Sequence, residues 1–582
     1  MVAFATAIAL SVRDNLRRER LRAGGGAALL DQISGAQDGV EGGRMRSQNR
    51  HLLRIPPFPG AMTSNLARPA ADVELGRGRV EALVDRIRKA RVGGTYWAAQ
   101  PRLSASYVLA RTPDALATAK RVLGDAPIVL WSTQKTPHTG FTVTGDCDPW
   151  HMLSGALGLF TNDDDNEILT IAAILGVPTY VRGKSRDFEL EGRDAASRLQ
   201  LALRNTIFTD PFTGTDLGIE DAIELCSFWR NLIDSNRPIS CALGFAFWKR
   251  ENVAPLLWSG SGPVRFDEPK DGPNGQPVAI WRSKVPNESA AALEHSKTPL
   301  IEVEDGFLRS KGLGADCVPP LSITVDRLGP HFDPSKPSEL ENLLQFGVFS
   351  EELLGRARSL REVIVNAGLG KYEAGGLPLD RPARARRHIL VPGQVEDDRS
   401  VLLGGCGLNS NIDLLVRVRK HAPDAFIIYK PHPDVIAGHR NGSIPERMVL
   451  QFADEVVVDQ PIVPLIQMCD EVHVNTSLAG FEALMREKLV TTYGVPFYAG
   501  WGLTTDLGPV PARRSTELSL DELVAAVLLL YPRYLDPVTG LPCPAETVVR
   551  RLVDGSAAQD SLVVSMRRIQ GKVMRRFREL AR

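Results

Sequence analysis

The sequence predicts an α/β fold in which two Rossmann-like domains face each other across a cleft, preceded by a partial α/β module. Short apolar, β-branched runs alternate with helical patterns over most of the chain, which is typical of α/β proteins. Several of these runs end in polar motifs, and open α/β sheets bind ligands at the carboxyl ends of their strands. The Gly-, Pro- and Arg-rich residues 366–387 separate two such regions and predict an interdomain linker.

One strand-end motif follows residues 426–429, an apolar run that predicts a buried strand. The motif is Lys430-Pro431-His432-Pro433, and its two prolines are expected to exclude both a helix and further strand pairing. Because the lysine and histidine side chains both donate hydrogen bonds to an oxyanion, the motif predicts a phosphate-binding strand end. A proline-rich surface turn explains this segment alone equally well.

A second strand end, at Asn475-Thr476-Ser477, opens a helical pattern. Asn, Thr and Ser are favoured N-caps, and the first turn of a helix leaves backbone N–H groups unpaired. Together with the helix dipole, these groups predict an anion site. Glu482 lies about one turn into the helix, where it is expected to accept hydrogen bonds from ribose hydroxyls. An ordinary capped helix is the alternative for this segment alone, but two such strand ends in one domain favour a nucleotide.

Acidic residues crowd two further strand ends. Glu304-Asp305-Gly306 follows one predicted strand, and Asp397-Asp398 lies shortly after another. Adjacent carboxylates raise at least one pKa of the pair, which suits a general acid/base. A plain Asp-Gly turn is the alternative for the first motif.

Composition excludes several classes of function. The 582 residues contain 69 Lys+Arg and 69 Asp+Glu, so no overall charge favours nucleic acid as a partner. The 7 cysteines form no Cys-x-x-Cys pair and no zinc-spaced cluster, which predicts a reducing compartment, structural thiols and no structural metal site. No apolar run approaches the ~20 residues of a membrane span. The sequence therefore predicts a cytoplasmic protein.

The chain divides into a series of predicted segments. Glycine clusters and the Pro56-Pro57-Phe58-Pro59 stretch interrupt any period near the start. The predicted segments are residues 1–70 (disordered), 71–237 (partial degenerate α/β module), 238–365 (Rossmann-like domain), 366–387 (linker), 388–555 (second Rossmann-like domain) and 556–582 (basic amphipathic helix).

A faint internal repeat relates the partial module to the last domain. Residues 160–180 align without a gap onto residues 473–493, with Asn162 opposite Asn475. Asp163 and Asp164 then stand opposite Thr476 and Ser477. Because two carboxylates repel a phosphate, the first copy is expected to be a non-catalytic remnant. Chance is the alternative, since the identities are few.

Five motifs together resemble the KpsC-type capsule polysaccharide β-Kdo transferases, over roughly residues 238–555. They are Glu-Asp-Gly-Phe-Leu-Arg-Ser (304–310), Gly-Gln-Val-Glu-Asp-Asp (393–398), Tyr-Lys-Pro-His-Pro-Asp (429–434), Thr-Ser-Leu-Ala-Gly-Phe-Glu (476–482) and Tyr-Gly-Val-Pro-Phe-Tyr-Ala-Gly-Trp-Gly-Leu-Thr (493–504). The resemblance, like the two domains joined by a linker, implies a GT-B glycosyltransferase. Family members commonly carry two complete modules, whereas residues 71–237 resemble only the later half of one.

The resemblance implies retaining transfer of Kdo from CMP-β-Kdo to a lipid-linked Kdo or glycan acceptor in capsule biosynthesis, without a metal or other cofactor. By similarity, the roles of the residues are as follows: Asp398 as nucleophile with Asp397 in reserve, Glu304 and Asp305 as acid/base, Lys430, His432, Pro433, Asn475, Thr476, Ser477 and Glu482 around CMP, and Arg309, Gln394, His473 and Trp501 in the donor/acceptor cleft. The implied partners include capsule biosynthesis and export proteins. A non-catalytic capsule-assembly scaffold and a GT-B transferase that uses another CMP-sugar remain as alternatives.

The last residues predict peripheral membrane binding. Residues 561–582 place five apolar side chains on one helical stripe among seven basic side chains. The five are Leu562, Met566, Ile569, Val573 and Phe577. A basic amphipathic helix lies on an anionic leaflet, here the inner membrane. Packing of the same stripe against another domain is the alternative.

Overall fold

A computed structural model describes the chain from residue 51 to residue 557 with internal gaps. The described ranges are residues 51–62, 65–71, 75–103, 107–123, 127–132, 142–162, 166–182, 188–267, 275–308, 318–370, 379–382, 386–438 and 440–557. Four sequence predictions therefore fall outside the described residues: disorder over residues 1–50, the roles of Asp163 and Asp164, the cleft position of Arg309, and the helix at 561–582. In the described part of the chain, no helix combines the length and the apolarity that crossing a membrane requires.

The first module is an α/β unit. Its strands are β1 (Ala67–Pro69), β2 (Tyr107–Ala110), β3 (Ile128–Ser132), β4 (Thr142–Thr144), β5 (Ala156–Thr161), β6 (Thr179–Arg182), β7 (Phe188–Leu190), β8 (Thr206–Thr209) and β9 (Asp216–Leu217). Its helices are α1 (Arg77–Ala90), α2 (Pro113–Leu123), α3 (Pro149–Ser154), α4 (Asn166–Leu175), α5 (Ala195–Leu203) and α6 (Ile219–Asn236). The N-terminal sheet has the order β4-β3-β2-β5-β6-β7, and β1-β8-β9 form a small antiparallel sheet beside it.

The expected disorder is wrong for residues 51–62 and 65–70. Leu52, Leu53 and Phe58 are buried, and β1 pairs with β8 across more than a hundred residues of sequence. The Phe58 ring packs edge-on against Trp258, 5.2 Å between centroids. Prolines and glycines near Phe58 interrupt helical and strand periodicity, but they do not prevent an irregular segment from burying apolar side chains.

The central sheet begins directly after the first module. Its first strands are β10 (Cys241–Leu243), β11 (Val278–Ile280), β12 (Leu300–Asp305) and β13 (Ser322–Asp326). The accompanying helices are α7 (Phe247–Leu257), α8 (Asn287–His295), α9 (Glu339–Phe346) and α10 (Glu351–Asn366), with a 3₁₀ turn at Arg282–Lys284. Strands β10, β11 and β12 are parallel, whereas β13 runs antiparallel to β12.

The C-terminal sheet is parallel throughout its order β16-β15-β14-β17-β18-β19. Its strands are β14 (His388–Pro392), β15 (Phe426–Lys430), β16 (Glu455–Val456), β17 (Glu471–Val474), β18 (Leu489–Thr492) and β19 (Thr505–Asp506). Its helices are α11 (Arg399–Gly404), α12 (Asn411–His421), α13 (Pro433–Ile436), α14 (Glu446–Val449), α15 (Ile462–Met468) and α16 (Leu478–Met485). Strands β14 and β15 are almost continuously apolar because helices cover both faces of a parallel sheet.

After β19 the chain returns to the central sheet. The returning elements are α17 (Leu520–Val524), a π-helical turn at Ala525–Leu530, β20 (Pro532–Leu535), β21 (Pro542–Cys543) and α18 (Ala545–Asp554). Strand β20 pairs antiparallel with β13, so the central sheet has the order β10-β11-β12-β13-β20-β21. Assigning residues 388–555 to one domain is therefore wrong for β20 and β21.

The described ends of the predicted linker are packed against the protein. Leu369 is buried in the core, and Gly370 lines a pocket described below. Arg381 pairs with Asp470 at 2.5 and 2.8 Å, at the start of the C-terminal sheet. Residues 371–378 and 383–385 lie outside the described part.

The N-terminal and C-terminal sheets share one strand order. β4-β3-β2-β5-β6-β7 matches β16-β15-β14-β17-β18-β19 strand for strand, although β7 is antiparallel to its neighbour and β19 is parallel. The sequence Asp-Pro-Phe-Thr-Gly at 210–214 is also echoed by Asp-Pro-Val-Thr-Gly at 536–540, after β8 and after β20. These two loops have one geometry, since the carboxylates of Asp210 and Asp536 each accept from the backbone N–H two residues on. The structure therefore supports a real internal repeat.

Candidate functional site

A pocket of about 750 Å³, including the solvent at its mouth, opens at the carboxyl ends of β14 and β15. We call it the strand-end pocket. Its walls come from the ends of the two strands and the starts of α13, α15 and α16, and they combine apolar with polar groups. The lining residues are Gly370, Pro392, Gly393, Lys430, Pro431, His432, Pro433, Pro461, Ile462, Val463, Ser477, Leu478, Ala479 and Glu482.

The Lys-Pro-His-Pro motif forms one wall of this pocket. The expectation that its prolines exclude further strand pairing is confirmed, since β15 ends at Lys430, directly before Pro431. The expectation that they exclude a helix is wrong, because Pro433 begins α13. Proline suits the first helical position, where its missing N–H has no partner to lose. His432 caps the helix, with its Nδ1 accepting from the Asp434 N–H at 3.2 Å. The neutral ring then carries its proton on Nε2.

The start of α16 forms the opposite wall. Ser477 is the N-cap, and its Oγ accepts from the Ala479 N–H at 3.2 Å. The Ser477 carbonyl accepts from the Tyr498 hydroxyl, which holds the turn in place. A hydroxyl and the positive end of a helix thus face the pocket, as the sequence predicts for an anion site.

Asn475 and Thr476 lie behind the pocket wall and do not line it. The Gln394 amide binds Thr476 twice, donating to its Oγ1 and accepting from its backbone N–H, both at 2.9 Å. Asn475 Nδ2 donates to the Leu408 carbonyl at 2.6 Å. These hydrogen bonds fix the end of β17 to segments that follow β14. Asn475 and Thr476 are predicted to contact the ligand, but in the structure they support the pocket wall.

Glu482 lies in the pocket with 5 % of its surface exposed. Its backbone carbonyl accepts from Arg486 Nη1 at 2.9 Å, and Arg486 Nη2 donates to the Leu369 carbonyl at 2.7 Å. Burial lowers the pKa of Arg486, and the Glu482 carboxylate acts in the opposite direction. Arg486 therefore ties the described end of the linker to the helix that carries Glu482.

A group of carboxylates on β12, which we call the acid cluster, lies across from α11. It consists of Glu302, Glu304 and Asp305. Arg399 Nη1 lies 2.8 Å from Glu304 Oε1 and 3.2 Å from Glu302 Oε2. Lys249 Nζ lies 3.0 Å from Asp305 Oδ1.

The pKa of Glu304 is raised to about 8. Burial is the largest cause, and the charges of Asp305 and Glu302 add to it against the opposing effect of Arg399. The sequence argument from adjacent like charges therefore predicts correctly that the pKa is raised, but the main cause is burial and not the neighbouring charge. Gly306 is required next to this pair, since a Cβ there would clash with Ser322 Oγ.

Asp397 and Asp398 lie on the loop between β14 and α11. Asp398 is the N-cap of α11, and its Oδ1 accepts from the Ser400 N–H at 3.0 Å and from Ser400 Oγ at 2.7 Å. Asp397 pairs with Arg440 at 3.2 Å, and the same guanidinium lies 3.8 Å from Asp398 Oδ2. Because Arg399 directly follows Asp398, its contact with Glu304 brings the two groups of acids to the same cleft.

Two residues predicted for the cleft lie elsewhere. His473 is fully buried in β17, where its ring nitrogens contact Glu471 at 3.1 Å and the Tyr493 hydroxyl at 3.2 Å, and burial lowers its pKa. Trp501 is also fully buried, and its Nε1 donates to the Phe497 carbonyl at 2.8 Å. Both predictions are wrong because proximity to a motif in sequence does not determine which way a side chain points.

Sequence reasoning also missed two cations, Arg399 and Lys249. Arg399 directly follows Asp398, which the family resemblance marks as the nucleophile, and this adjacency is a weak signal that its side chain lies near the same site. Lys249 lies on α7, more than fifty residues before the acid that it contacts, and no local pattern marks it.

The comparisons with known proteins agree on one family. The model of the family "Capsule polysaccharide biosynthesis protein" matches residues 276–534. The chain is 38% identical over 358 residues to the capsule polysaccharide modification protein LipA of Neisseria meningitidis serogroup A, covering 60% of this chain and 50% of LipA. It is 49% identical over 243 residues to the lipopolysaccharide-processing protein LpsZ of Rhizobium meliloti, covering 41% of this chain and 55% of LpsZ.

Among solved structures, the chain is similar to the beta Kdo 2,7 transferase of Thermosulfurimonas dismutans KpsC. The identity is 34%, the TM-score is 0.45, and the match covers 55% of this chain and 99% of that one. The chain spans about half the length of the curated relatives that it matches. The family expected from the five motifs is confirmed: the chain is a KpsC-type capsule polysaccharide biosynthesis protein.

Proposed function

We propose that the chain is a retaining β-Kdo transferase that moves Kdo from CMP-β-Kdo to a lipid-linked glycan acceptor. The observation that carries the proposal is the contact of Arg399, at the start of the helix that follows β14, with Glu304 of the acid cluster on the central sheet. The strand-end pocket opens at the carboxyl end of the same strand β14. Two αβ sheets with a site between them fit a GT-B arrangement, and the relatives named for Kdo transfer favour this donor.

The strand-end pocket is suited to CMP. The N-terminus of α16 and the Ser477 hydroxyl offer donors to the phosphate, and His432 Nε2 is the donor on the facing wall. Lys430 adds a positive charge to the same wall. Glu482 is the acceptor for ribose hydroxyls, while Pro461 and Ile462 present an apolar surface to the base.

Transfer proceeds by two displacements, which together retain the anomeric configuration. Asp398 Oδ2 attacks the anomeric carbon, and the bond to the phosphate oxygen breaks so that CMP leaves with the electron pair. The helix dipole and His432 stabilise the charge on the departing phosphate. The acceptor hydroxyl oxygen then attacks the same carbon, the ester to Asp398 breaks, and Glu304 takes the hydroxyl proton.

The pKa of Glu304 suits its proposed role as the group that takes this proton. A general base works best when its pKa is near the operating pH, and the pKa of Glu304 is about 8. Lys249 keeps the neighbouring Asp305 in an ion pair, which leaves Glu304 as the proton-transfer group. This assignment narrows the shared role that the sequence predicts for the two residues.

The proposal is tested by incubating the purified chain with a CMP-Kdo generating system and a synthetic Kdo-terminated acceptor. Asp398→Asn is expected to abolish transfer and to keep its affinity for CMP, because the amide does not attack carbon and asparagine is also a favoured N-cap. In Glu304→Gln, the Kdo ester on Asp398 is expected to accumulate and to be detected by mass spectrometry. Full activity of Asp398→Asn, or an adduct on another residue, contradicts the assignment.

A further inference from the structure

Arg399 connects the two sides of the cleft. It is the first residue of α11, whose N-cap is Asp398 on the C-terminal sheet's side. Its guanidinium contacts Glu304 and Glu302 on β12 of the central sheet, at 2.8 and 3.2 Å. It also lies over the Phe332 ring, 5.2 Å from the centroid. One side chain therefore reaches from the proposed nucleophile's helix to the proposed base.

Among the described residues, the charged groups that act on Glu304 are two carboxylates and two cations. Glu302 and Asp305 are the facing carboxylates, and Arg399 and Lys249 are the facing cations. Lys249 is oriented toward Asp305 and lies 3.4 Å from the Trp281 ring centroid, which fixes its ammonium on that side. Of these two described cations, Arg399 is the one in direct contact with Glu304.

We propose that Arg399 is a positioning residue for transfer, which orients the Glu304 carboxylate and holds it against the helix that carries Asp398. The inference deepens the proposed function and depends on it for the reaction. A guanidinium is suited to this role because its planar fork contacts two carboxylates in a fixed geometry, which a lysine ammonium does not reproduce. Phe332 limits the remaining freedom of the fork by stacking on it.

The first test follows the protonation of Glu304 without substrate. Infrared difference spectra between the native chain and Glu304→Gln identify the C=O stretch of the protonated carboxyl, and its loss is followed from pH 5 to pH 10. The native band is expected to titrate near pH 8. In Arg399→Gln, loss of the adjacent positive charge is expected to move the titration upward by about 1 pH unit or more.

The matched control is Arg386→Gln, which removes another arginine–carboxylate pair, between Arg386 Nη1 and Asp454 Oδ1 at 2.8 Å. This pair lies at the amino ends of β14 and β16, away from the strand ends that precede Arg399. Its Glu304 band is expected to titrate as in the native chain. A native titration in Arg399→Gln, or an equal shift in the control, overturns the inference.

The second test separates position from charge. Arg399→Lys keeps the charge and loses the fork, so kcat for transfer is expected to fall about 10–100-fold with CMP affinity unchanged in calorimetry. A native kcat in this variant overturns the positioning role, and this variant also decides the question if Arg399→Gln does not fold. If the native chain has no activity with CMP-Kdo, the proposed function fails, while the infrared titration still decides whether Arg399 controls Glu304.

Discussion

Replacing Ser477 by alanine separates two effects of one hydroxyl. Ser477 Oγ caps α16 through the Ala479 N–H and also faces the strand-end pocket. Loss of the cap is expected to lower the free energy of unfolding by about 1 kcal/mol. Loss of a hydrogen bond to a charged phosphate is expected to weaken CMP binding by about 1–3 kcal/mol, which raises the Kd by about 5- to 150-fold.

Ser519→Ala is the matched control for this prediction. Ser519 caps α17 in a capping box with Glu522, and neither residue lines the pocket. Its replacement is expected to cost a similar stability in urea unfolding and to leave the Kd for CMP unchanged in calorimetry. The reasoning is refuted if Ser477→Ala binds CMP as tightly as the native chain, or if both variants weaken binding equally.

Further outcomes follow from the same geometry. His432→Ala is expected to weaken CMP binding by about 1–3 kcal/mol, measured by calorimetry. Calorimetry on the native chain is expected to show one CMP per chain, and a second equivalent would contradict the remnant interpretation of the first module. Because the folded pKa of Glu304 lies above that of an unfolded glutamate, its contribution to stability is present at acidic pH and is lost as the pH rises from about 4.5 through about 8. The unfolding free energy of Glu304→Gln relative to the native chain is therefore expected to grow over this range, and a constant difference would exclude the raised pKa. Truncation at residue 560 is expected to reduce binding to phosphatidylglycerol vesicles without unfolding the protein. This binding should weaken with salt, because basic residues attract anionic lipid through a field that salt screens. An unfolded truncation product, or undiminished binding, would show that residues 561–582 are structural.

The pocket is predictable from sequence because short, contiguous motifs supply most of its polar residues. A buried strand followed by Lys430 and His432, and another followed by an N-cap at Ser477, place donors at neighbouring strand ends of one parallel sheet. The structure brings all three into one pocket, with Glu482 beside them. Parallel pairing and right-handed crossovers leave few other places for these residues.

Other features depend on contacts that local patterns do not encode. Strand β20 is an ordinary strand by its sequence, and only its pairing with β13 shows that the chain returns to the central sheet. His473 lies beside Asn475 in sequence, yet alternation along β17 directs its ring into the core. Arginine side chains are usually exposed, so the local sequence does not mark Arg399. Its proposed role depends on its contact with Glu304, on a strand almost a hundred positions earlier.

The fold limits the chain to one catalytic site of the proposed kind within its described residues. The first module repeats the strand order of the C-terminal sheet, but the proposed base lies on β12 of the central sheet, and the small β1-β8-β9 sheet is the described counterpart of that sheet in the first module. The first module instead packs on the central sheet: Trp229 Nε1 donates to the Pro542 carbonyl at 2.8 Å, and Arg551 Nη2 donates to the Phe212 carbonyl at 2.9 Å. Arg551 also pairs with Asp536, so the two repeated loops lie together and share one arginine. The described residues of the first module therefore hold no counterpart of β12 and its acid cluster, and we expect one transfer site and one CMP per chain.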